Sequence, residues 1–391
     1  MLFRKMSSSY RTILIAALIL SVALVLPVAA VTTSITVTKY ADNNYSQSVD
    51  AETFNLSQLR TLSSVYSNGP VYMQGPTFDS NDPWGDGGQN MINFYGHNGS
   101  RVSNITDEVG GMSDGDELKV QSSDGFSLYF GYDNVYAPDS SQGDMIVAWW
   151  DSDYGFVPDY TYGMRLFFYT PPSSYGVDDS LNLTLRDMEA SFDPWYRHNY
   201  SLTWPSAKGL SSKYVQYLKI YPPHRYDFNT TGDTVEYAYE GDVDGVPGTS
   251  TVPSTAFSST ANIAADDSVS YQTDSENEGE YAAQRFVFNV AESAGNIEKI
   301  AVTWVGTGTN AGDTDGADLY IWNGSNYELL QSSTSSSEVT LSGEKTSSIS
   351  DYINDGNVTV LVKQKSASNG DDASTLATDY VKFVVTHHHA N

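Results

Sequence analysis

Three aspartates, Asp313, Asp315 and Asp318, lie close together in the sequence around Gly316. Hard cations such as Ca²⁺ prefer several oxygen ligands from a loop that folds around them, and glycine permits the tight backbone path. The spacing resembles the start of a calcium loop, although the distant bidentate glutamate of an EF-hand is missing. The sequence therefore predicts a calcium site here. The alternative is a solvated acidic turn, which a chain with 48 acidic residues will produce repeatedly.

Two other places offer the same carboxylate chemistry. Asp242 and Asp244 precede Gly245, and Asp379 stands at the start of the last strand-like run. We predict that Asp379 joins the calcium ligands if the second half of the chain is a jelly roll. Calcium is therefore the one cofactor that the sequence suggests.

Other chemistry is less well marked. The chain has no cysteine, which excludes cysteine nucleophiles and thiolate metal sites, and it carries neither a Gly-x-Ser-x-Gly nor a His-Glu-x-x-His motif. The run His387-His388-His389 is interpreted as part of a short tail over 387–391, and not as a metal site. Six aromatic residues could stack on sugar rings or belong to the core: Trp149, Trp150, Trp195, Tyr196, Trp322 and Tyr327.

Strand-like runs organise the first half of the chain. Apolar residues alternate on both sides of Ser123-Asp124-Gly125, which predicts a β-hairpin. Met145–Trp150 and Met164–Tyr169 are two further apolar runs, and Asn55 with Gln58 has capping-box spacing for a short helix. We therefore predict an α+β domain over residues 31–224, with short helices on a mixed sheet.

The motifs of this half resemble the sulfite-oxidase-like molybdopterin-binding domain. The likeness rests on Ser123–Ser127, Tyr162–Leu166 and Tyr214–Ile220, the counterparts of the family's Asp-Gly motif, its Gly-x-Pro-x-Arg motif and its closing strand. The second counterpart lacks the proline, and Tyr162 stands where the family often has histidine. The resemblance implies that fold and a place near the cofactor pocket for Arg165, whose alternative is an exposed strand residue paired with a carboxylate. The family's enzymes ligate molybdenum through a cysteine, and this chain has none.

A second resemblance is to secreted modules of methane-producing archaea. In the first half it rests on Gly75–Phe78, Asp82–Trp84 and Gly110–Lys119. In the second half it rests on Leu319–Asn323 and Thr378–Lys382. The second half is also loosely similar to jelly-roll carbohydrate-binding modules, which implies a structural calcium ion and exposed aromatic residues that bind sugar.

The second half of the chain has a different composition. Residues 225–261 are predicted to be a linker or long loop, since Pro247–Ala261 is dominated by Ser, Thr, Pro and Gly. Short alternating runs separated by Asn-Gly and Asp-Gly turns then predict an all-β sandwich or jelly-roll domain over 262–386.

Residues 1–30 predict a secretory signal peptide, with a basic start, an apolar Thr12–Val25 core and small residues up to Ala30. No other apolar run is long enough to span a membrane. The formal net charge of −28 argues against nucleic-acid partners. Nine Asn-x-Ser/Thr sequons favour a glycosylated chain: Asn44, Asn55, Asn98, Asn104, Asn182, Asn199, Asn229, Asn323 and Asn357.

Together these features favour a secreted, non-enzymatic structural or adhesive protein of the cell surface or extracellular matrix. The expected partners are other surface proteins or copies of the chain itself, and glycans. The alternatives are a molybdopterin-dependent oxidoreductase and a carbohydrate-binding protein.

Overall fold

The computed structural model describes residues 31–62, 64–67, 71–74, 91–140, 142–169, 182–183, 191–200, 204–229, 232 and 234–391. The predicted signal peptide and the segments 75–78 and 82–84 lie outside these residues. Most of the described chain is β-sheet. No helix within the described ranges is long and apolar enough to cross a bilayer.

Two large hydrophobic cores divide the described molecule into two lobes, and a smaller buried cluster that includes Trp322 and Leu361 lies in the second lobe. The first core is built from residues between Ile35 and Ile220, and the second from residues between Tyr226 and Val385. We call the parts of the chain around them the first lobe (residues 31–223) and the second lobe (residues 224–391).

The first lobe contains many short strands and a few short helices. Its strands are β1 (Ser34–Ala41), β2 (Asn44–Asn55), β3 (Ser64–Ser67), β4 (Val71–Gln74), β5 (Met91–Asn93), β6 (His97–Arg101), β7 (Glu117–Ser122), β8 (Ser127–Gly131), β9 (Asp144–Asp151), β10 (Gly155–Phe156), β11 (Arg165–Tyr169), β12 (Asn182–Leu183), β13 (Asn199–Tyr200), β14 (Trp204–Pro205) and β15 (Val215–Tyr221). Its α-helices are α1 (Leu56–Leu59), α2 (Val102–Asp107) and α3 (Tyr132–Tyr136), and its 3₁₀ turns are η1 (Pro194–Tyr196) and η2 (Ala207–Leu210).

Two of its sheets enclose the first core. One has the strand order β2-β1-β15-β7-β8 and is mixed, because β1 runs parallel to β15 while the other pairs are antiparallel. The other has the order β10-β9-β6-β3, with β11 also paired to β9. The predicted hairpin is confirmed as β7 and β8, whose Leu118 and Phe130 are opposite each other and fully buried. The capping box at Asn55 and Gln58 is confirmed as well.

Nearly all of the regular secondary structure of the second lobe is strand. Its strands are β16 (His224–Asp227), β17 (Val235–Val243), β18 (Thr255–Ala256), β19 (Tyr271–Ser275), β20 (Tyr281–Asn289), β21 (Ile297–Thr309), β22 (Ala317–Trp322), β23 (Tyr327–Ser332), β24 (Val339–Lys345), β25 (Asn357–Gln364) and β26 (Ser374–His387). One short helix, α4 (Ile349–Tyr352), and two 3₁₀ turns, η3 (Ala261–Ile263) and η4 (Ala294–Asn296), accompany them.

These strands form two antiparallel sheets that share one core. The first has the order β16-β26-β21-β24, with β19 also paired to β26, and the second has the order β18-β17-β20-β25-β22-β23. Trp304 and Phe383 from the first sheet and Phe286 and Val360 from the second belong to the same buried cluster. The all-β sandwich character predicted for this half therefore fits the structure.

The boundaries of the second lobe differ from the prediction. The segment 225–261, expected to be a linker, supplies β16, β17 and β18, and β17 pairs with β20 over nine residues. The prediction was wrong because most of the Ser, Thr and Pro residues of this segment lie in 247–261, and their composition was extended to the whole segment. Val235–Val243 alternates over most of its length and forms a strand. The expected tail is also shorter, since β26 continues to His387.

Candidate functional site

Arg165, predicted to lie near a pocket, is the first residue of β11 and is only 2% exposed. Its Nε donates to Ser211 Oγ at 2.9 Å, and its guanidinium carbon lies 4.4 Å from the centre of the Phe94 ring. The alternative of an exposed residue paired with a carboxylate does not hold, because β9 and β11 pair across the buried part of the first lobe.

Arg165 lines a cavity of about 290 Å³ in which positive charge accumulates. Lys208 and Lys213 line the same cavity, and the ammonium of Lys213 lies 3.9 Å from the centre of the Tyr162 ring. Burial and the neighbouring Arg165 and Lys208 cations lower the pKa of Lys213. Within the described ranges none of these three cations forms an ion pair. We call this space the Arg165 cavity.

Asp151, the acidic residue that lines the Arg165 cavity, already has hydrogen-bond partners. Asp151 Oδ2 lies 3.1 Å from His97 Nε2, and Asp151 Oδ1 accepts the backbone N–H of Asp153 at 2.8 Å. Burial lowers the pKa of His97 despite this carboxylate, so the imidazole is neutral at pH 7 and donates Nε2–H to Asp151. His97 Nδ1 is buried without a hydrogen-bond partner. The cavity therefore presents a surplus of positive charge.

Exposed aromatic rings surround the opening. Tyr95, Tyr154 and Tyr162 line the Arg165 cavity and are 51%, 53% and 38% exposed, respectively. Rings of this kind offer apolar faces and a hydroxyl to a ligand. The cavity is thus suited to a small anion that also carries an apolar surface, and the resemblance pointed to Arg165 alone among its residues.

The predicted calcium loop does not bring its carboxylates together. Asp315 Oδ1 accepts the backbone N–H of Asn310, and Asp318 forms an ion pair with Lys365 at 2.7 Å. Burial would raise the pKa of Asp318, but the hydrogen bonds from Lys365 and Ser332 lower it overall. Asp313 caps the backbone N–H of its neighbour Thr314. Asp318 belongs to β22 and bonds to Ser332 of β23 and to Lys365, so it is not part of the turn that carries the other two.

The weaker candidates behave differently from each other. Asp242 accepts a hydrogen bond from Asn277 and is exposed. Asp379, by contrast, is completely buried in β26, and the structure places it beside Asp266 and Glu338. Sequence reasoning missed Asp266 and Glu338, because no spacing pattern links residues so far apart in the chain.

The six aromatic residues considered for sugar stacking are mostly core residues. Four of them are at most 7% exposed: Trp149, Tyr196, Trp322 and Tyr327. The other two, Trp150 and Trp195, are partly buried against the first core. The exposed rings of Tyr95, Tyr154 and Tyr162 are more accessible to a ligand than these six residues.

The sequons differ in accessibility. Asn55 and Asn199 are exposed, whereas Asn98 has a buried, unpartnered Oδ1, and the side chain of Asn182 lies outside the described residues. The others are half-buried: Asn44, Asn104, Asn229, Asn323 and Asn357.

Comparison with known proteins finds likeness in the second lobe. Residues 233–387 match the family model described as "Uncharacterized protein, C-terminal domain". This range begins just before β17 and ends at the last residue of β26. A protein of Archaeoglobus fulgidus described as "Uncharacterized protein" is 34% identical over 109 residues, which is 26% of this chain and 18% of that protein. The chain therefore matches less than a fifth of that relative's length.

Proposed function

We propose that the protein is a secreted, non-enzymatic adhesive or structural protein of the cell surface, whose first lobe binds an acidic glycan in the Arg165 cavity. Secretion is supported by the signal-peptide pattern of residues 1–30, and a surface role by the sequons and the net charge of −28. The single observation that carries the proposal is the convergence of Arg165, Lys208 and Lys213 on one cavity.

Charge explains why the ligand should be an anion. Burying a cation is costly unless a counter-charge or good hydrogen bonds accompany it. The one carboxylate lining the cavity, Asp151, is held by His97. A guanidinium and two ammonium groups suit the carboxylate or sulfate of a ligand. In a chain of net charge −28, anions are repelled elsewhere, so this local surplus would also supply selectivity.

The exposed rings explain why the anion should be part of a sugar. Tyr95, Tyr154 and Tyr162 can pack against the C–H face of a sugar ring while their hydroxyls bond to its oxygens. A volume of about 290 Å³ is at the lower end for small-molecule sites and suits one sugar-acid unit of a chain. Adhesion would then come from many weak contacts along a polymer.

The experiment compares binding of polygalacturonate, a carboxylated polysaccharide, with binding of neutral dextran by calorimetry. We expect the wild type to bind only the acidic polymer, with an affinity that falls as salt rises. Lys213→Ala and Tyr154→Ala should each weaken binding by about tenfold, which corresponds to roughly 1.4 kcal/mol.

Two substitutions away from the cavity serve as controls. Lys299→Ala removes a surface cation of the second lobe, and Phe126→Ala removes an exposed ring at the β7–β8 turn. Both should bind like the wild type. Absence of binding to any acidic polysaccharide, or equal losses in the controls and the cavity variants, would refute the proposal.

The second candidate function is a molybdopterin-dependent oxidoreductase. In this case the first lobe would have an α+β fold of the sulfite-oxidase-like class. The cations of the Arg165 cavity favour an anionic cofactor. The donor set does not fit the metal, however, because the resemblance implies a cysteine ligand and the chain contains no cysteine. We therefore derive no reaction step. Stoichiometric molybdenum or tungsten in the purified protein would reverse this ranking.

A further inference from the structure

Three carboxylates from distant parts of the second lobe meet on the outer side of its first sheet. One oxygen each of Asp266, Glu338 and Asp379 lies within 4.8 Å of the other two. Asp266 follows η3, whose residues pack against β26, and Glu338 immediately precedes β24. The cluster thus joins a loop, the start of an edge strand and a central strand.

A β-bulge sets the position of Asp379. Val305 pairs with Tyr380 and Gly306 pairs with Thr378, so Asp379 is the extra residue of β26 at this point. The bulge shifts the alternation of the strand: Thr378 bonds to Trp304 on the core side, and Val381 and Phe383 also face the core. Bulges re-aim side chains in this way, and here the re-aimed side chain is a carboxylate.

Asp379 is an acid buried without a counter-charge. It is 0% exposed, its Oδ2 accepts the backbone N–H of Ser268 at 3.1 Å, and its Oδ1 is buried with no hydrogen-bond partner. Among the described residues no lysine, arginine or histidine forms an ion pair with Asp379, Asp266 or Glu338. A fully buried carboxylate beside two others is costly unless something neutralises it.

We propose that Asp266, Glu338 and Asp379 form a Ca²⁺ site that fastens the η3 loop and the start of β24 to β26. The donors are all oxygens, which favours a hard cation over zinc or copper. Two of the carboxylates are exposed and one is buried, so water can complete the coordination shell of six to eight oxygens that calcium takes. The site is independent of the Arg165 cavity, and loss of glycan binding would leave it unaffected.

The test uses the full chain after removal of metal by a chelator. Calorimetry with CaCl₂ should show one ion per chain, with a Kd of about 10⁻⁴–10⁻³ M, as in extracellular modules. The melting temperature should rise with calcium and stop rising when the site is saturated. MgCl₂ at the same concentration should give a much smaller rise, because Mg²⁺ demands stricter geometry and gives up its water reluctantly.

Asp379→Asn and Glu338→Gln distinguish this site from adventitious binding. Both should weaken calcium binding at least tenfold and remove the calcium-dependent rise in melting temperature. In chelator, Asp379→Asn should melt at the same temperature as the wild type or higher, since it removes an uncompensated buried charge. Glu338 is exposed, so Glu338→Gln remains informative if Asp379→Asn fails to fold.

The matched control is Asp313→Asn, which removes a carboxylate from the loop that the sequence singled out. It should bind calcium like the wild type. The proposal is overturned if the wild type binds no calcium at 10 mM (about ten times the weakest expected Kd), or if calcium binding survives in both Asp379→Asn and Glu338→Gln. It is also overturned if Asp313→Asn alone abolishes binding.

Discussion

Individual buried charges in the second lobe show how rarely this protein leaves a charge unmatched. Asp227 is completely buried and bonds to Arg225, which also holds Asp42 of the first lobe through two hydrogen bonds. Arg285 and Lys363 lie over the rings of Tyr239 and Tyr281, at 4.0 and 3.7 Å from the ring centres. Asp379 differs from these residues, because it is fully buried and its Oδ1 has no hydrogen-bond partner in the described structure.

Gly306 is a residue at which packing leaves no room for a methyl group. A Cβ added there would lie 2.2 Å from Ala377 O and 2.5 Å from the Trp304 ring. We expect Gly306→Ala to lower the free energy of unfolding by about 1–3 kcal/mol, because β21 and β26 or the buried indole must move. Urea unfolding followed by tryptophan fluorescence measures this.

Gly295→Ala is the matched control for that substitution. A Cβ at Gly295 meets nothing within 4 Å, and the residue lies in the exposed η4 turn. Its free energy of unfolding should change by less than about 0.5 kcal/mol. Equal free energies of unfolding for the two variants would contradict the close packing described at Gly306.

At the same scale, the sequence predicted chemistry only where a local pattern existed. Arg165 was found through a motif, but His97 and the neighbouring Lys208 and Lys213 come from two other segments and meet Arg165 only in the folded lobe. Asp266, Glu338 and Asp379 have no sequence relation at all. The sequence analysis singled out Asp313–Asp318 and Asp379 but not Asp266 and Glu338, because sequence shows proximity along the chain and not in space.

At the scale of elements, the C-terminal residues act as a strap between the lobes. The Asn391 side chain bonds to both the backbone N–H and the carbonyl of Tyr129, so it pairs with the edge of β8 as a strand would. His389 stacks on the Tyr129 ring at 4.4 Å and bonds to both oxygens of Glu117. A segment expected to be a free tail is thus bound to the first lobe.

The His389–Glu117 contact should contribute to stability. Glu117 is only 3% exposed, and His389 is its one ion-pair partner in the described part of the chain. His389→Ala should destabilise the protein by about 1–3 kcal/mol, because it removes the imidazole hydrogen bond to a buried carboxylate. Thermal unfolding of the single and double variants measures the effect.

Glu117→Gln provides the comparison for that contact. In the Glu117→Gln background residue 117 carries no charge, so His389→Ala should lower the free energy of unfolding much less than it does in the wild type. Equal costs in the two backgrounds would mean that the strap contributes through the Tyr129 stack alone.

Local periodicity predicted many of the strands but not their partners. The β7–β8 hairpin followed from an Asp-Gly turn between alternating residues, and the relevant contacts are local. The parallel pairing of β1 with β15 and the central place of β26 involve residues far apart in sequence, and no pattern in the chain encodes them. The β16–β17 segment was taken for a linker because it adjoins the Ser- and Thr-rich stretch.

At the scale of the whole molecule, the lobes meet around a cavity of about 530 Å³ in which histidine is concentrated. His224, His387 and His389 line it together with Tyr45, Tyr129 and Glu292. His224 Nδ1 lies 2.6 Å from Glu292 Oε1, whereas His387 Nδ1 is buried with no hydrogen-bond partner. Burial lowers the pKa of His387, although Glu292 and Glu117 act in the opposite direction.

Mild acid should therefore destabilise the folded protein. The pKa values of His97 and His387 are depressed in the folded state, so the unfolded state takes up protons first as pH falls below about 6.5. The free energy of unfolding should fall by about 1–2 kcal/mol between pH 7.5 and pH 5.5. Urea titrations at the two pH values measure the difference.

His387→Gln isolates the part of this effect that arises between the lobes. The variant should lose less stability on acidification than the wild type, because it lacks the imidazole of His387, which binds a proton more readily in the unfolded than in the folded state. The carboxylates with lowered pKa values in the described part of the chain, Asp151, Glu292, Asp318 and Glu328, titrate below this window and do not interfere. An unchanged pH dependence in His387→Gln would exclude His387 as its source.

The position of β26 has a consequence for how the chain acquires its structure. Pairing partners of β26 extend from His224 to Thr309, and the residues directly after it reach back to Glu117, Tyr129 and Trp195. Loop-closure entropy makes such long-range pairings slow to form. During synthesis, the second lobe lacks a central strand and the first lobe lacks its cover until residues 374–391 have left the ribosome. The nascent chain therefore exposes open strand edges until this segment has emerged, and its emergence allows both lobes to close.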